Sequence, residues 1–417
     1  MYFLKSITAA VALSAGVQAV AISGRDATAD VAVPQIDPSV DPLTALQQLQ
    51  DATVQNIKAE EALRKRSAAT PRPPGQSGPA QPQPKCTLAN ARVRRDWENL
   101  SKAERKDYIR AVQCLRKLPA KSPKDFAAAA RTRYDDFVAI HVNQTLFVHG
   151  NGPFITWHRY YVWAYEEALR NECGYKGYQP YWNWFRHVDD ERKNPIFDGS
   201  DSSMGGDGEF VAHNGSLAGA RLISLPSGAG GGCIKSGPFK NTIANIGPFN
   251  PGMDGIGPVV ATLNDHNPHC VKRDLNSYAA KKWYTTENLL NVTIGPASQT
   301  HRGYWQEIQG RYPDQFLGFH TTGHYVINGD NTDLYSSPND PAFFLHHAQF
   351  DRMYWIHQIL HPSESRKVTG TLTLQNRPPS RDATVDDILE MGVLAQNRPI
   401  RDMFDTLGGS PLCYIYL

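Results

Sequence analysis

Three segments of this 417-residue chain place a histidine on the apolar stripe of a helix, and that pattern restricts the fold more than any other feature. From about Pro123 to the Val148 region, Tyr134, Phe137, Val138 and His141 share one stripe. A second segment opens beside Pro153, where proline suits a first turn, and carries Trp157, His158, Tyr161, Tyr165 and Leu169 inward. A third opens near Pro341 with Phe344, His347, Phe350, Tyr354 and Trp355 on a face. A lone histidine on such a face is more often a satisfied core residue than a ligand, but these are not alone. Of 14 histidines, six fall into two groups of three: His141, His149 and His158, then His320, His324 and His347. His320 and His324 are four residues apart, so a helix would present both imidazoles on one side, although Thr321, Thr322 and Gly323 between them weaken the helix. The expected architecture is mainly α, with long irregular loops.

The patterns that are missing help to identify the metal. A di-iron carboxylate bundle needs Glu ligands and a Glu-x-x-His spacing, and a zinc protease needs His-Glu-x-x-His; neither occurs here. No two cysteines stand at metal-binding spacing, which argues against a thiolate zinc site. Sites made only of neutral imidazole suit copper, the divalent ion with the highest affinity for nitrogen ligands.

These residues also carry a family resemblance. Phe154-Ile155-Thr156-Trp157-His158-Arg159-Tyr160, with His141 and His149 upstream, resembles the first copper motif of the tyrosinase and catechol oxidase family of type-3 copper proteins. Asp340-Pro341-Ala342-Phe343-Phe344-Leu345-His346-His347, followed by Asp351 and Trp355 and preceded by His320 and His324, resembles the second. The ending Cys413-Tyr414-Ile415-Tyr416 is similar to the Tyr-x-Tyr that closes the family's catalytic domain, and Arg92 to Arg95 resembles the segment that meets it. The resemblance covers roughly Cys86 to the C-terminus and implies a short form without a C-terminal shielding domain. It implies two copper ions, one held by His141, His149 and His158 and the other by His320, His324 and His347, with His346 as a neighbour because adjacent helical side chains point about 100° apart. The implied fold is a four-helix bundle core housing the dicopper centre, and the implied chemistry uses O2 to oxidise ortho-diphenols to ortho-quinones.

The sequence departs from that pattern at some positions. Members that hydroxylate monophenols well often place Asn directly after the first histidine of the second site, beside a buried Glu. Here Thr321 takes the first position, and Phe316 rather than a carboxylate stands four residues before His320. Asp314 or Gln315 could stand in from a shifted loop. The expectation is a diphenol oxidase with weak or absent monophenol hydroxylation; the alternatives are a full tyrosinase or a hemocyanin-like oxygen-binding protein. Leu334 resembles the residue that gates the copper pocket, and Tyr325 would line the same entrance. Asp351, one turn beyond His347, is expected either to orient an imidazole or to lie on the helix surface paired with Arg352 or another cation. No cysteine is near His149, so the thioether that some members carry is expected to be absent. The remaining histidines, His187, His213, His266, His269, His301, His357 and His361, read as surface or loop residues.

The rest of the chain sets the compartment. Lys5, an apolar run from Ile7 to Ala21 and small residues at 17, 19 and 21 read as a signal peptide over 1–21, and the run is too short for a permanent membrane anchor. Residues 22–66 read as a propeptide: 42–66 is polar and helix-prone, resembles no packed domain and ends at the basic Arg64-Lys65-Arg66. Residues 67–85 are a Pro-rich linker, and 86–417 the catalytic domain. Export implies three disulfides among the six cysteines, with Cys233 and Cys270 pinning the Gly- and Pro-rich excursion over 199–270. Sequons at Asn99, Asn143, Asn214 and Asn291 are compatible with glycosylation. A net charge of +2 with scattered basic residues gives no reason to expect a nucleic-acid partner.

Overall fold

The computed structural model describes residues 31–69 and 86–417; the expected signal peptide and most of the expected linker lie outside them. Four helices form the centre: α3 (Arg133–Val148), α4 (Phe154–Cys173), α8 (Phe319–Ile327) and α9 (Phe343–Leu360). Around them stand α1 (Pro42–Ala69), α2 (Lys102–Leu115), α5 (Ser277–Trp283), α6 (Thr286–Thr293) and α7 (His301–Gln309). The mainly α expectation holds, and no helix among the described residues is long and apolar enough to cross a membrane.

Local chemistry sets where the central helices begin and end. A capping box at Ser101 and Glu104 starts α2. Thr132 and Asp135 form another, so α3 starts at Arg133 rather than near Pro123. The preceding turn is held open because Asp136 accepts the amides of Lys121 and Ser122. Gly174, left-handed at φ 63°, ends α4. Tyr165 stacks on Phe344 with centroids 3.5 Å apart, joining α4 to α9 through fully buried rings.

The excursion over 199–270 folds into short antiparallel pairs. Strand β2 (Gly208–Phe210) pairs with β5 (Gly231–Ile234), β3 (Ser216–Ala218) with β4 (Ile223–Leu225), and β6 (Ile243–Ala244) with β7 (His269–Cys270). At the chain's far ends β1 (Arg92–Arg94) pairs in parallel with β10 (Tyr414–Tyr416), and β8 (Ile388–Leu389) pairs with β9 (Arg398–Pro399). All six cysteines are bridged: Cys86–Cys413 beside the β1–β10 pair, Cys114–Cys173 between the ends of α2 and α4, and Cys233–Cys270 between β5 and β7.

Helix α1 corrects the expectation that residues 42–66 lie outside a packed domain. Leu46, Leu49 and Ile57 recur at helical spacing and are buried in the common core. Gln50 Nε2 donates to the Tyr416 carbonyl at 2.7 Å, and Arg352 Nε donates to Gln50 Oε1 at 3.1 Å. The basic triplet forms the exposed end of this helix.

Candidate metal centre

Each histidine of the first group is held by a backbone carbonyl. His141, in the middle of α3, donates from Nδ1 to the Tyr335 carbonyl at 2.6 Å. His149, where the chain leaves α3 in an extended conformation, donates to the Thr145 carbonyl at 3.0 Å, and His158 in α4 to the Phe154 carbonyl at 2.7 Å. A carbonyl can only accept, so the proton sits on Nδ1 and the Nε2 lone pair stays free. The Nε2 atoms of His141 and His158 are buried with no protein partner, and the ligand atoms of the three residues lie within 4.8 Å of one another. Buried acceptors left unpaired in this way are what a missing cation explains.

The second group is built likewise. His324 donates from Nδ1 to the Asn331 carbonyl at 2.8 Å, and His347 to the Phe343 carbonyl at 3.0 Å. Nε2 of His320 lies 3.0 Å from that of His347 and 3.1 Å from that of His324. Metal–imidazole bonds of about 2.0 Å set nitrogens roughly 3.3 Å apart around one ion, so the three already converge on a binding point. Gly323, which weakens the helix in isolation, is required here: a Cβ on it would meet the His346 ring at 2.2 Å.

His346 also falls within this group by distance. Its Nδ1, however, accepts from Trp184 Nε1 at 3.0 Å, which spends that lone pair and leaves a hydrogen on Nε2. His347 keeps its Nε2 lone pair and His346 does not.

Burial, reinforced by neighbouring imidazoles, pushes His141, His158, His320 and His347 well below the usual histidine range. Burial likewise takes His149 and His324 down to about 4. The centre is therefore neutral before a metal binds. Among the described residues no carboxylate hydrogen-bonds to any of these rings, and every cysteine is in a disulfide, so a thioether to His149 has no donor. An all-imidazole donor set fits copper.

The other predicted residues fall around this centre in different ways. His141, His158 and His347 are fully enclosed, whereas His324, Thr321, Leu334 and Tyr335 are half-buried and mark the side on which solvent approaches. Tyr325 donates to the Leu217 carbonyl of β3 at 2.8 Å, fastening α8 to the β3–β4 hairpin. Asp351 touches no imidazole. Its oxygens receive Arg94, Arg159, Tyr414 and Tyr416, so it orients no ligand and pairs with cations other than Arg352, buried rather than on the helix surface. Asp314 pairs with Arg311 on the surface, and Gln315 donates to the Leu222 carbonyl, so neither turns toward the histidines.

The sequence reading missed Gln309. This residue ends α7, accepts the Gly150 amide through Oε1 at 3.0 Å and accepts the Thr321 hydroxyl through its carbonyl at 2.7 Å, while Nε2 is buried without a partner. It reaches the strands of chain beside His149 and His320 because Gly310 and Gly318, at φ 122° and 74°, let residues 311–317 double back as a loop. A glutamine eleven residues upstream of His320 carries no local signal for that approach.

The remaining histidines need no metal. His357, His361 and His301 are buried rather than on the surface, bonded to the Ser298 carbonyl, the Thr293 carbonyl and Thr369 respectively. His213 and His269 pair with Asp274 and Asp330.

Two triads of imidazoles between the helices of a bundle define a dinuclear metal protein. Residues 131–360 match the family model described as the common central domain of tyrosinase. Tyrosinase P of Aspergillus terreus is 35% identical over 344 residues, covering 80% of this chain and 94% of that protein. N-acetyl-6-hydroxytryptophan oxidase ivoB of Emericella nidulans is 35% identical over 353 residues, covering 79% and 93%. A mutant of the polyphenol oxidase of Thermothelomyces thermophila superposes with a TM-score of 0.76 at 36% identity, covering 90% of this chain and 98% of that one. The chain belongs to the tyrosinase family. It is an oxidase of phenolic substrates that uses O2 and dinuclear copper, and its two histidine groups can hold the two ions.

Proposed function

We propose that this chain is an exported catechol oxidase that converts ortho-diphenols to ortho-quinones, reduces O2 to water and hydroxylates monophenols weakly or not at all. In this reading His141, His149 and His158 hold one copper and His320, His324 and His347 the other. The bound copper pair supplies O2 binding and two-electron oxidation. The protein fixes five of the six imidazoles, all but His320, through Nδ1 hydrogen bonds, excludes water behind them, and leaves an approach past Thr321, Tyr325 and Leu334, where Leu334 gates bulky phenols.

One observation carries the diphenolase reading. A monophenol must lose its proton to a base before oxygen is inserted, and the side chain lodged against Gly150, next to His149, is the Gln309 carboxamide, which is not a base at ordinary pH. The Thr321 hydroxyl is also committed, donating to the Gln309 carbonyl and meeting the Tyr312 hydroxyl at 3.1 Å. An ortho-diphenol is the more acidic and more easily oxidised substrate and depends less on that base. Three disulfides support export, and the propeptide reading of residues 22–66 is retained as a proposal about processing after Arg66, not about where α1 packs.

Copper-loaded protein assayed for O2 uptake and quinone formation with 4-methylcatechol and 4-methylphenol tests the reading. The expected kcat/KM ratio favours the catechol by at least about two orders of magnitude, the scale of a missing general base. Comparable rates would establish a full tyrosinase, and reversible O2 binding without catechol turnover would establish an oxygen carrier.

A further inference from the structure

The β3–β4 hairpin stands over α8 on the side where solvent reaches the histidines. Leu217, in β3, takes the Tyr325 hydroxyl on its carbonyl, and Tyr325 follows His324 directly. The hairpin's turn, residues 219–222, lies against the ring of Tyr312: a Cβ on Gly219 would sit 2.6 Å from its atoms. Tyr312 in turn meets Thr321. Gln315 ties the other end of the turn by donating to the Leu222 carbonyl at 3.1 Å. The hairpin is thus tied directly to Tyr325 and, through Tyr312, to Thr321, two of the three residues that flank the approach to the histidines.

Its backbone is strained. Gly219, Ala220 and Arg221 are consecutive left-handed residues at φ 56°, 56° and 66°, a conformation that glycine tolerates and the other two do not favour. Strain of this kind persists where the surroundings impose it and collects at binding sites. Here it sets the exposed Arg221 in the turn packed on Tyr312, whose hydroxyl meets Thr321 beside His320. Arg221 makes no ion pair with a carboxylate among the described residues, unlike Arg311 nearby, which is neutralised by Glu307 and Asp314. Leu217 and Leu222 flank the turn with exposed apolar side chains. An apolar shoulder carrying one free guanidinium is suited to a molecule with an aromatic head, a short apolar spacer and an anionic end.

We propose that Arg221 is a specificity-determining residue that binds the carboxylate of catechols bearing an acidic side chain, the ring entering toward the histidines while the carboxylate stays on the hairpin. The proposal rests on the catechol oxidase reading and narrows its substrate class to phenolic acids.

The test compares 3-(3,4-dihydroxyphenyl)propanoate with neutral 4-methylcatechol in the copper-loaded wild type and in Arg221→Ala, Arg221→Lys and Arg221→Glu. The kcat/KM ratio of acid to neutral catechol is expected to fall about fivefold in Arg221→Ala, further in Arg221→Glu, and to be largely restored in Arg221→Lys, mainly through KM. The inhibition constant of non-oxidisable 3-phenylpropanoate should rise in step, while that of its amide should not, and added salt should erase the wild-type preference. Ratios within twofold of wild type in both Arg221→Ala and Arg221→Glu overturn the assignment. Failure of the wild type to oxidise either catechol would instead overturn the catechol oxidase reading.

Discussion

The Nε of Arg159, the residue after His158, donates to Asp351 Oδ1 at 2.5 Å, so a buried ion pair joins α4 to α9 directly behind the two groups of imidazoles. Asp351 is one turn past His347, and its other oxygen receives Arg94 together with the hydroxyls of Tyr414 and Tyr416. Arg94 also donates to Glu166. Two arginines, two carboxylates and the terminal Tyr-x-Tyr thus form one enclosed network that sets the spacing of the helices carrying His158 and His347.

Breaking this network is expected to cost stability before it costs chemistry. Asp351→Ala leaves Arg94 and Arg159 buried without their shared partner, a change worth about 3–5 kcal/mol. Thermal unfolding should show a large drop in midpoint, with copper content falling as α4 and α9 lose their spacing. Full copper content and an unchanged midpoint would contradict the role. The pH dependence has a definite sign. Burial opposes ionisation of Asp351, but Arg159, Arg94 and the two hydroxyls outweigh it and hold the carboxyl below its ordinary range. Its contribution is therefore fully present above the unfolded carboxyl value of about 3.9 and is lost as pH falls through the lower folded value. The gap in stability between wild type and Asp351→Asn should narrow only in strong acid.

The two adjacent histidines of α9 should behave differently when replaced. His347→Gln removes a free Nε2 lone pair and is expected to lower bound copper from two ions per chain toward one, with loss of catechol oxidation. His346→Gln keeps an acceptor for Trp184 Nε1 and should retain both ions. Metal analysis of the two variants, each checked for folding by circular dichroism, settles which residue is the ligand. Equal losses would mean that His346 is more than a neighbour.

A carboxylate supplied at position 309 should change the substrate range. Gln309→Glu places a base beside Gly150, and the monophenol-to-diphenol activity ratio should rise by about tenfold or more. Thr321→Asn should raise it too, because a carboxamide after His320 can help hold a water that takes the phenolic proton. If neither variant, with copper intact, moves the ratio, monophenol activity is limited by something other than the missing base.

What the sequence revealed and what it hid follow from the range of the interactions involved. His141, His158 and His347 stand on stripes repeating every 3.6 residues, and a stripe is visible within a dozen residues. The Ser101–Glu104 capping box is visible within four. Gln309 reaches the centre only because two left-handed glycines fold residues 311–317 out of the way, and Asp351 meets Arg94 across 257 positions. No local pattern reports such meetings. The start of α3 was misplaced for a related reason: Asp136, already inside the helix, turns back to cap the amides of Lys121 and Ser122, which competes with helix formation from Pro123 onward.

Helix α1 was obscured by its polar composition, and its packing changes what processing after Arg66 would do. The fragment ending at Arg66 has no cysteine, so cleavage would leave it held by non-covalent contacts, among them the burial of Leu46, Leu49 and Ile57, the Gln50 bonds to Tyr416 and Arg352, and the bond from the Thr286 hydroxyl to the Val40 carbonyl. Each of those apolar side chains contributes about 1.5–3 kcal/mol, and the contacts brace α9 and β10, which belong to the network around Asp351. The cleaved helix is therefore expected to remain bound. Protein cut after Arg66 by a basic-site protease should elute with its fragment on native size exclusion and release it only in denaturant. Protein produced from residue 67 onward should unfold at a markedly lower temperature. If the cut fragment separates freely and the remainder keeps its midpoint and copper, α1 is a dispensable leader rather than a wall of the folded enzyme.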